Sequence, residues 1–472
     1  MENKMITFTY VLRTDKITVI FPYDPAAAEF VKELGAQAVY KTLPTKTLSG
    51  VQNVKKFSHW EMELTQETND KLRDIQGTEN IHIDSVIFAA WETKLEHMEK
   101  NLSLSMAHNS SLEFKEPLQS VLKNYQRAGV EYIRRNPRGV FVGDGMGLGK
   151  TLETLAALES GEMYPALIVC PAVVKYNWGR EVEKWIPHRK YNILNGYKDK
   201  KDDGAEIFIV NYDILEKWLD LLTVIPFKTL VCDEAHYLKN YKAKRTEIVT
   251  ELARGIPRRI LLSGTPVLNR PQELIAPLMI MDRLNEMGGF WKFANYFCQA
   301  KKTRFGWDLS GAANLAELNL TARSLFYIRR EKSEVLTELP EKTIIPQWMR
   351  IDNGPEYDAA ARDVIEYLRV NVSDEAALKA KRAEALVKIN VLKQIAARGK
   401  LKSINAWVEN YFENGTGTEK LIIFAWHTEI IKSIATGLEK KYPLHVIAGD
   451  TSAQDRDRIV NDFQENPLTR VI

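Results

Sequence analysis

A chain of 472 residues, 45% hydrophobic and 27% charged, has ordinary globular composition and enough length for roughly three domains. Its formal net charge of +3 is too small to argue for nucleic acid from composition alone; no run approaches the ~18 apolar residues of a membrane span, and the start MENKMITFTY lacks the features of a secretory signal. Three cysteines (Cys170, Cys232, Cys298) without a C-x-x-C spacing argue against a disulfide framework or a zinc site. They point to a reducing compartment, cytoplasmic in a prokaryote or virus and nuclear in a eukaryote.

Residues 1–110 read as a small α+β unit. Thr7–Val11 and Lys16–Phe21 alternate like half-buried strands. Asp24-Pro25 then caps a helix over Ala26–Leu34 that Gly35 ends. A polar loop is expected over Leu43–Val54, followed by an alternating strand Phe57–Leu64 and a helical stretch through Ile75. Residues 101–112, polar and rich in Ser and Asn, read as a linker.

Over 111–345 the pattern becomes α/β. A helix carrying Leu122, Tyr125, Gln126, Gly129, Val130 and Ile133 precedes the β-prone run Val140–Val142. That run enters a loop with four glycines in seven residues, Gly143 to Gly149, and Lys150-Thr151 opens a second helix. Strand, glycine loop, Lys-Thr and helix form a cradle for a phosphate chain. The backbone of Gly145, Met146, Gly147, Leu148 and Gly149 would wrap the phosphates, Lys150 would neutralise the β/γ-phosphates and Thr151 would ligate Mg²⁺. One position departs from G-x-x-x-x-G-K-[ST]: Asp144 stands where the first glycine belongs.

Apolar runs at Ala166–Cys170, Ile207–Val210, Thr229–Cys232 and Arg259–Leu262 alternate with helical patterns, which predicts a parallel sheet buried on both faces. The third run delivers Asp233 and Glu234 to its end, an arrangement suited to metal-assisted phosphoryl transfer. Asp233 would hold Mg²⁺, and Glu234 would orient and deprotonate the attacking water. The fourth ends in Ser263-Gly264-Thr265-Pro266, whose hydroxyls could bond those carboxylates and report the nucleotide state. His236 reads as a structural hydrogen-bonder.

Residues 346–415 form a basic helical insertion. Lys379, Lys381, Arg382, Lys388, Lys393, Arg398, Lys400 and Lys402 lie against an apolar stripe of Leu386, Ile389, Leu392 and Ile395. Over 416–472, strands at Leu421–Trp426 and His445–Ile447 and helices at Thr428–Lys440 and Ala453–Gln464 start another α/β unit, and Thr469–Ile472 reads as the start of a strand.

The ordered set YQRAGV, DGMGLGKT, LIVCPAVVKYNWGREVEKW, IVNYDIL, DEAHYLKN, LLSGTPVLNRPQEL and RREKSEVLTELPEKT resembles the first motor lobe of Swi/Snf-type ATPases of helicase superfamily two. FAWHTEI and AGDTSAQDRDRIVNDFQ resemble the opening of the second. SGTPVLNRPQEL, with an N-terminal stretch similar to the HARP domain, points to the annealing-helicase, fork-remodelling branch. The resemblance implies a RecA-like parallel-sheet motor lobe, a partial second RecA-like lobe and a small α+β N-terminal domain that binds DNA. The activity it implies is ATP-dependent translocation on duplex or forked DNA without sequence preference. Gln126 matches the residue that reads adenine, and Lys175, Asn211, Tyr212, Lys239 and Asn240 fall in motifs lining the family's DNA track. Gly145 stands where relatives carry an acid, a change expected to be tolerated. Trp178 and Trp185 are expected in the core. The family's S-T-x-A-G-G and Q-x-x-x-R-x-x-R motifs do not occur, so these residues alone are expected to bind ATP and to hydrolyse it weakly, the rest lying on another polypeptide or beyond a fragment's end. Two other readings stay open: a motor that displaces protein from DNA, and a non-catalytic binder of DNA structures.

Overall fold

The computed structural model describes the chain except residues 1–4, 12–15, 22–23, 48–49, 197–203, 266–268, 305, 341, 364–365, 367–369 and 371–383. It divides into two compact units, Met1–Leu339 and Pro340–Ile472. Pro266, Lys379, Lys381 and Arg382 lie outside the described residues.

The first unit begins with strands β1 (Ile6–Val11), β2 (Lys16–Ile20), β3 (Gln37–Thr47), β4 (Gly50–Glu63) and β5 (Ile81–Ile83), in the sheet order β3-β4-β2-β1-β5. Helices α1 (Pro25–Glu33), α2 (Gln66–Asp74) and α3 (Val86–Ser105) interleave with them. The Asp24 carboxylate accepts from the Ala26 N–H at 2.9 Å, satisfying one orphan donor of α1, and Gly35 takes φ +105° just past its end. Phe8, Ile17, Val31, Leu64, Leu72 and Trp91 form the core between sheet and helices.

Two expectations fail here. Residues 43–54 are not a polar loop but the far end of the β3–β4 hairpin, paired from Leu43↔Val54 to Thr47↔Gly50. Thr42, Thr45, Thr47, Val51 and Val54 are β-branched and suit a strand, and Pro44 is tolerated because β3 is the sheet's edge. Residues 101–105 are not linker but the last turns of α3, which packs against β1 and against two helices of the following lobe. Polarity misled because the buried Asn101 amide is occupied: it donates to Asn136 Oδ1 at 2.9 Å and to the Ser324 carbonyl at 3.2 Å. Beside α3, Arg138 lies within 3.2 Å of Glu63 and 3.4 Å of Glu286, and Lys16 and Lys94 pair with the same two acids. The N-terminal sheet is therefore anchored by charge to the residue that starts the next strand.

That strand, β6 (Val140–Val142), belongs to a seven-stranded sheet with β7 (Ala166–Cys170), β8 (Tyr191–Ile193), β9 (Ile207–Asn211), β10 (Thr229–Cys232), β11 (Arg258–Leu262) and β14 (Tyr327–Ile328). The order is β14-β6-β11-β10-β7-β9-β8, every pair parallel. A small antiparallel hairpin, β12 (Lys301–Thr303) and β13 (Gly306–Asp308), stands apart. Leu230 and Cys232 enter one hydrophobic core and Val231 the other, so both faces of β10 are covered and its sequence does not alternate in polarity. Around the sheet lie α4 (Asn124–Arg135), α5 (Lys150–Ser160), α6 (Lys175–Trp185), α7 (Gly289–Cys298) and α8 (Leu315–Leu325), with a further helix at Lys244–Arg254 and shorter helical turns between them.

In the second unit, helices cover Gly354–Arg362, Glu384–Gly399, Leu401–Glu413, Thr428–Leu438 and Ala453–Glu465. The strands expected at Leu421–Trp426 and His445–Ile447 shrink to single bridges: Val471 pairs in parallel with Leu421 on one side and Leu444 on the other. Bonds from the Leu421, Ile423 and His445 N–H groups to the Arg470, Ile472 and Val471 carbonyls hold these segments together, while Phe424 and Trp426 stay exposed. Thr469–Ile472 accordingly runs as the middle of three segments. Of the apolar stripe, Ile395 is buried and Leu392 partly so, while Ile389 is exposed; the side chain of Leu386 is outside the described residues. Arg398 and Lys402 are matched by Glu356 and Asp352 at 2.9 and 3.1 Å, so part of the basic face is internally neutralised. No helix among the described residues is long and apolar enough to cross a membrane.

Replacing Asn101 by Ala should lower stability by about 1–3 kcal/mol, because the Asn136 and Ser324 oxygens lose a buried donor. Urea unfolding measures this, and an unchanged midpoint would show that the amide carries no weight at the α3 junction.

Candidate nucleotide site at the carboxyl edge of the sheet

The glycine loop leaves β6 at the carboxyl edge and turns into α5. Gly147 and Gly149 take φ of +80° and +82°, a region that disfavours any side chain, so these two glycines are obligatory for the curl. Leu148 is buried, pinning the loop, while Met146 is exposed. A Cβ built on Gly145 would meet nothing nearer than 3.5 Å, where the Arg330 carbonyl and the Glu331 carboxylate lie. Lys150 folds back across the loop and donates to the Asp144 carbonyl at 2.8 Å and the Gly145 carbonyl at 3.2 Å. Burial holds its ammonium below the usual lysine range against the attraction of Asp144, Glu234 and Asp233, which places both acids of β10 within its electrostatic reach. Thr151 is half-buried in the first turn of α5.

Asp144, the residue out of pattern, is fully buried and explained by a partner the sequence did not reveal. Arg330, just past β14, donates from Nε to Asp144 Oδ2 at 3.0 Å and from its own N–H to Oδ1 at 3.0 Å. Its Nη2 also bonds Asp144 and reaches Glu153 Oε1 on α5 at 2.7 Å, and its Nη1 donates to the Tyr125 carbonyl. One guanidinium thus ties β14, the loop, α5 and α4 together. Burial raises the Glu153 carboxyl well above the usual range; Arg330 opposes this and Asp144 adds to it.

Gln126 sits under the loop on α4. Its Nε2 donates to the Leu148 carbonyl at 3.0 Å, and its Oε1 accepts from the Lys123 N–H at 2.9 Å. The Tyr125 hydroxyl donates to the same Leu148 carbonyl at 3.0 Å. Both ends of the Gln126 amide are therefore engaged by protein.

Asp233 ends β10 under tight constraint. Its Oδ2 accepts from Trp178 Nε1 at 2.8 Å, its Oδ1 from the Glu234 N–H at 2.9 Å, and its carbonyl from the Tyr212 hydroxyl at 2.7 Å. Burial raises its carboxyl above the usual range, the Trp178 bond opposes this and the neighbouring Glu234 adds to it. Glu234 adopts φ +48°, a strained conformation for a side-chain-bearing residue, which re-aims the carboxylate as the chain leaves the strand. His236 Nδ1 lies 3.1 Å from Glu234 Oε2. Just past β11, Ser263 and Thr265 bond one another at 2.9 Å rather than the carboxylates, and the Ser263 hydroxyl also accepts from the Thr265 N–H at 3.3 Å. Gly264 abuts the loop: a Cβ there would lie 2.8 Å from Met146 Cγ and 3.6 Å from Lys150 Nζ.

The five residues read as lining a DNA track separate into two groups. Lys175 is buried and donates to the Leu194 carbonyl, Asn195 Oδ1 and Asn211 Oδ1 at 3.2, 2.6 and 3.2 Å. Asn211 and Tyr212 are buried with it, so these three brace the sheet edge internally; an ammonium sequestered by three acceptors has no donor left for an outside phosphate. Lys239 and Asn240 are exposed, with Lys239 3.7 Å from Glu273 and Asn240 Oδ1 accepting from the Lys242 N–H at 3.0 Å. Trp178 is indeed core, and it also orients Asp233; Trp185 is partly buried and bonds Glu181.

A parallel sheet with a Lys-Thr loop, an acid pair and a Ser-Gly-Thr turn side by side on one edge is the architecture of a RecA-like motor lobe. The SNF2-related domain family model matches residues 90–396, and the chain belongs to that family. It is 33% identical over 354 residues to the SWI/SNF-related matrix-associated actin-dependent regulator of chromatin subfamily A-like protein 1 of Bos taurus, covering 73% of this chain and 36% of that protein. The Xenopus laevis protein of the same name is 29% identical over 85% of this chain and 41% of its own length. The DNA annealing helicase and endonuclease ZRANB3 of Mus musculus is 32% identical over 75% of this chain and 34% of its own. The chain thus spans between a third and two fifths of the length of these relatives. The solved SWI2/SNF2 ATPase core of Sulfolobus solfataricus in complex with dsDNA is 26% identical over 74% of this chain and 76% of that one, with a TM-score of 0.40.

Arg330→Met should destabilise the lobe by about 3–5 kcal/mol, since Asp144 would remain as an unpaired buried charge. Adding Asp144→Gly should recover much of the loss in chemical denaturation; no recovery would mean the acid is not the source of the cost. Glu153 supplies a pH signature. With its folded pKa raised, its contribution is fully present below the ordinary glutamate value and is lost as pH rises through the raised one. Stability of the parent should decline over that range, and that of Glu153→Gln should decline less.

Proposed function

We propose that the chain is an ATP-dependent motor acting on double-stranded DNA, with forked or branched DNA as its substrate class and strand rewinding as its outcome. The observation that carries this reading is the meeting of three sequence-distant segments at one edge: Lys150 on the loop, Asp233-Glu234 on β10 and Gly264 on β11. The backbone N–H groups of Met146, Gly147 and Gly149 would take phosphate oxygens, those of Gly145 and Leu148 being bonded to the Arg330 and Gly145 carbonyls at 2.9 and 3.4 Å, and Lys150 would exchange the Asp144 and Gly145 carbonyls for phosphate oxygens. Gln126 releases one end of its amide to read adenine.

The donor set fits Mg²⁺, which takes one or two protein oxygens alongside phosphate and water. Thr151 and Asp233 supply them, and the upward shift of the Asp233 carboxyl marks a buried site that a divalent cation relieves. When bound, the ion would neutralise charge on the transferring phosphoryl group. Glu234, aimed off the strand end, orients the attacking water and accepts its proton. Gly264 abuts Met146 of the loop, so the turn Ser263-Gly264-Thr265 would couple nucleotide state to the rest of the lobe. Lys239 and Asn240 contact DNA phosphates, which position a duplex without specifying sequence. The residues 1–110 add a second DNA contact. Such a motor works wherever the chromosome lies, in the nucleus of a eukaryote or the cytoplasm of a prokaryote or virus.

Glu234→Gln should keep ATP binding and lose roughly 10²–10⁴-fold in single-turnover hydrolysis with duplex DNA present. Lys150→Ala should lose binding itself, read by a fluorescent ATP analogue. Hydrolysis unaffected by either substitution would remove this edge from the mechanism.

A further inference from the structure

Helix α7 and the β12–β13 hairpin bring two exposed tryptophans together. The rings of Trp291 and Trp307 lie 4.8 Å apart at 60°, exposed by 50% and 51%. Phe290 packs edge-on against Trp291, and Tyr241 against Phe290, at 5.2 and 5.6 Å, so the pair sits on an aromatic base. The described hairpin strands are exposed along their whole length. Lys302 pairs directly with Trp307 in the ladder, so ammonium stem and indole project from the same face. Three cations, Lys301, Lys302 and Arg304, face a single acid of the hairpin, Asp308, which lies opposite Lys301. Of the neighbouring charges, Lys292 is taken by Glu67, and Glu317 accepts from the Tyr296 hydroxyl at 2.7 Å.

A two-stranded hairpin gains little from its own ladder, and exposed indoles gain nothing from water. Indole faces beside unneutralised cations match a chain of flat bases joined by phosphates, provided the bases are not already stacked in a duplex. We infer that this patch docks single-stranded DNA: unpaired bases stack on Trp291 and Trp307 while Lys302 and Arg304 take the adjoining phosphates. Tyr241 follows Asn240 in sequence, which sets the patch beside the surface assigned above to duplex phosphates. A junction with one arm on each surface is then read as a shape. The inference rests on the DNA-motor reading for its duplex arm and on nothing in the nucleotide site.

The test compares binding of a labelled oligo-dT and a blunt duplex to the full chain by fluorescence anisotropy, with indole emission recorded in parallel. Trp307→Ala should weaken oligo-dT binding by roughly ten-fold or more, remove part of the indole quenching and change duplex affinity by no more than about two-fold. The paired substitution Lys302→Gln with Arg304→Gln, at exposed positions that folding does not need, should flatten the salt dependence of oligo-dT binding. Unchanged oligo-dT affinity in both variants, or equal losses on oligo-dT and duplex, overturns the inference. Lys150→Ala separates the two claims: it should abolish nucleotide binding and leave oligo-dT binding intact.

Discussion

A single buried guanidinium holds the nucleotide edge in shape. Arg330 comes from the far end of the lobe's sequence, yet its bonds to Asp144, Glu153 and the Tyr125 carbonyl join four elements under the glycine loop. A loop rich in glycine has large conformational freedom to lose on folding. A charge-assisted fork fixes it from below, and the Gly145 N–H is drawn to the Arg330 carbonyl at 2.9 Å. The cost is two carboxylates near one cation in a dry environment, and it shows in the Glu153 carboxyl, which burial raises well above its usual range.

The same economy of charge governs the acid pair. Asp233 has both carboxylate oxygens committed, one to an indole N–H and one to a backbone N–H, and is still held above its ordinary range by burial. Lys150 is held below its own. Opposite groups, each partly starved of solvation, thus meet at one edge of the sheet. Polar groups oriented before the reactants arrive need little reorganisation when charge develops, which is where such sites gain rate.

The strands of the parallel sheet were legible because continuous apolar runs bounded by helical patterns have few other folds open to them, and the loop and acid pair announced themselves by residue type. What was not legible depended on partners distant in sequence. Lys175 and Asn211 read as DNA contacts from motif and polarity, which say nothing of burial; here Lys175 donates to Asn211. Asn101 looked like linker for the same reason. Asp144 stood out only as a departure from the loop pattern, and its partner Arg330, 186 residues on, was not visible in the sequence. The β3–β4 hairpin escaped because backbone hydrogen bonds, blind to side-chain polarity, hold a long ladder together.

The N-terminal sheet acquires meaning from its attachment. Arg138 stands two residues before β6, the strand that delivers the glycine loop, and it is gripped by Glu63 of the N-terminal sheet and Glu286 of the lobe. Burial lowers an arginine's affinity for its proton, but these acids more than restore it, so the cluster is strongly coupled and tolerates little displacement. A force on the N-terminal sheet, such as DNA bound there would exert, reaches the root of β6 through this cluster and through α3, which packs on both bodies. The connection is short, ionic and buried, so strain applied at one end is transmitted rather than absorbed by a flexible linker. Arg138 and the packing of α3, rather than a linker alone, therefore join the N-terminal sheet to the lobe.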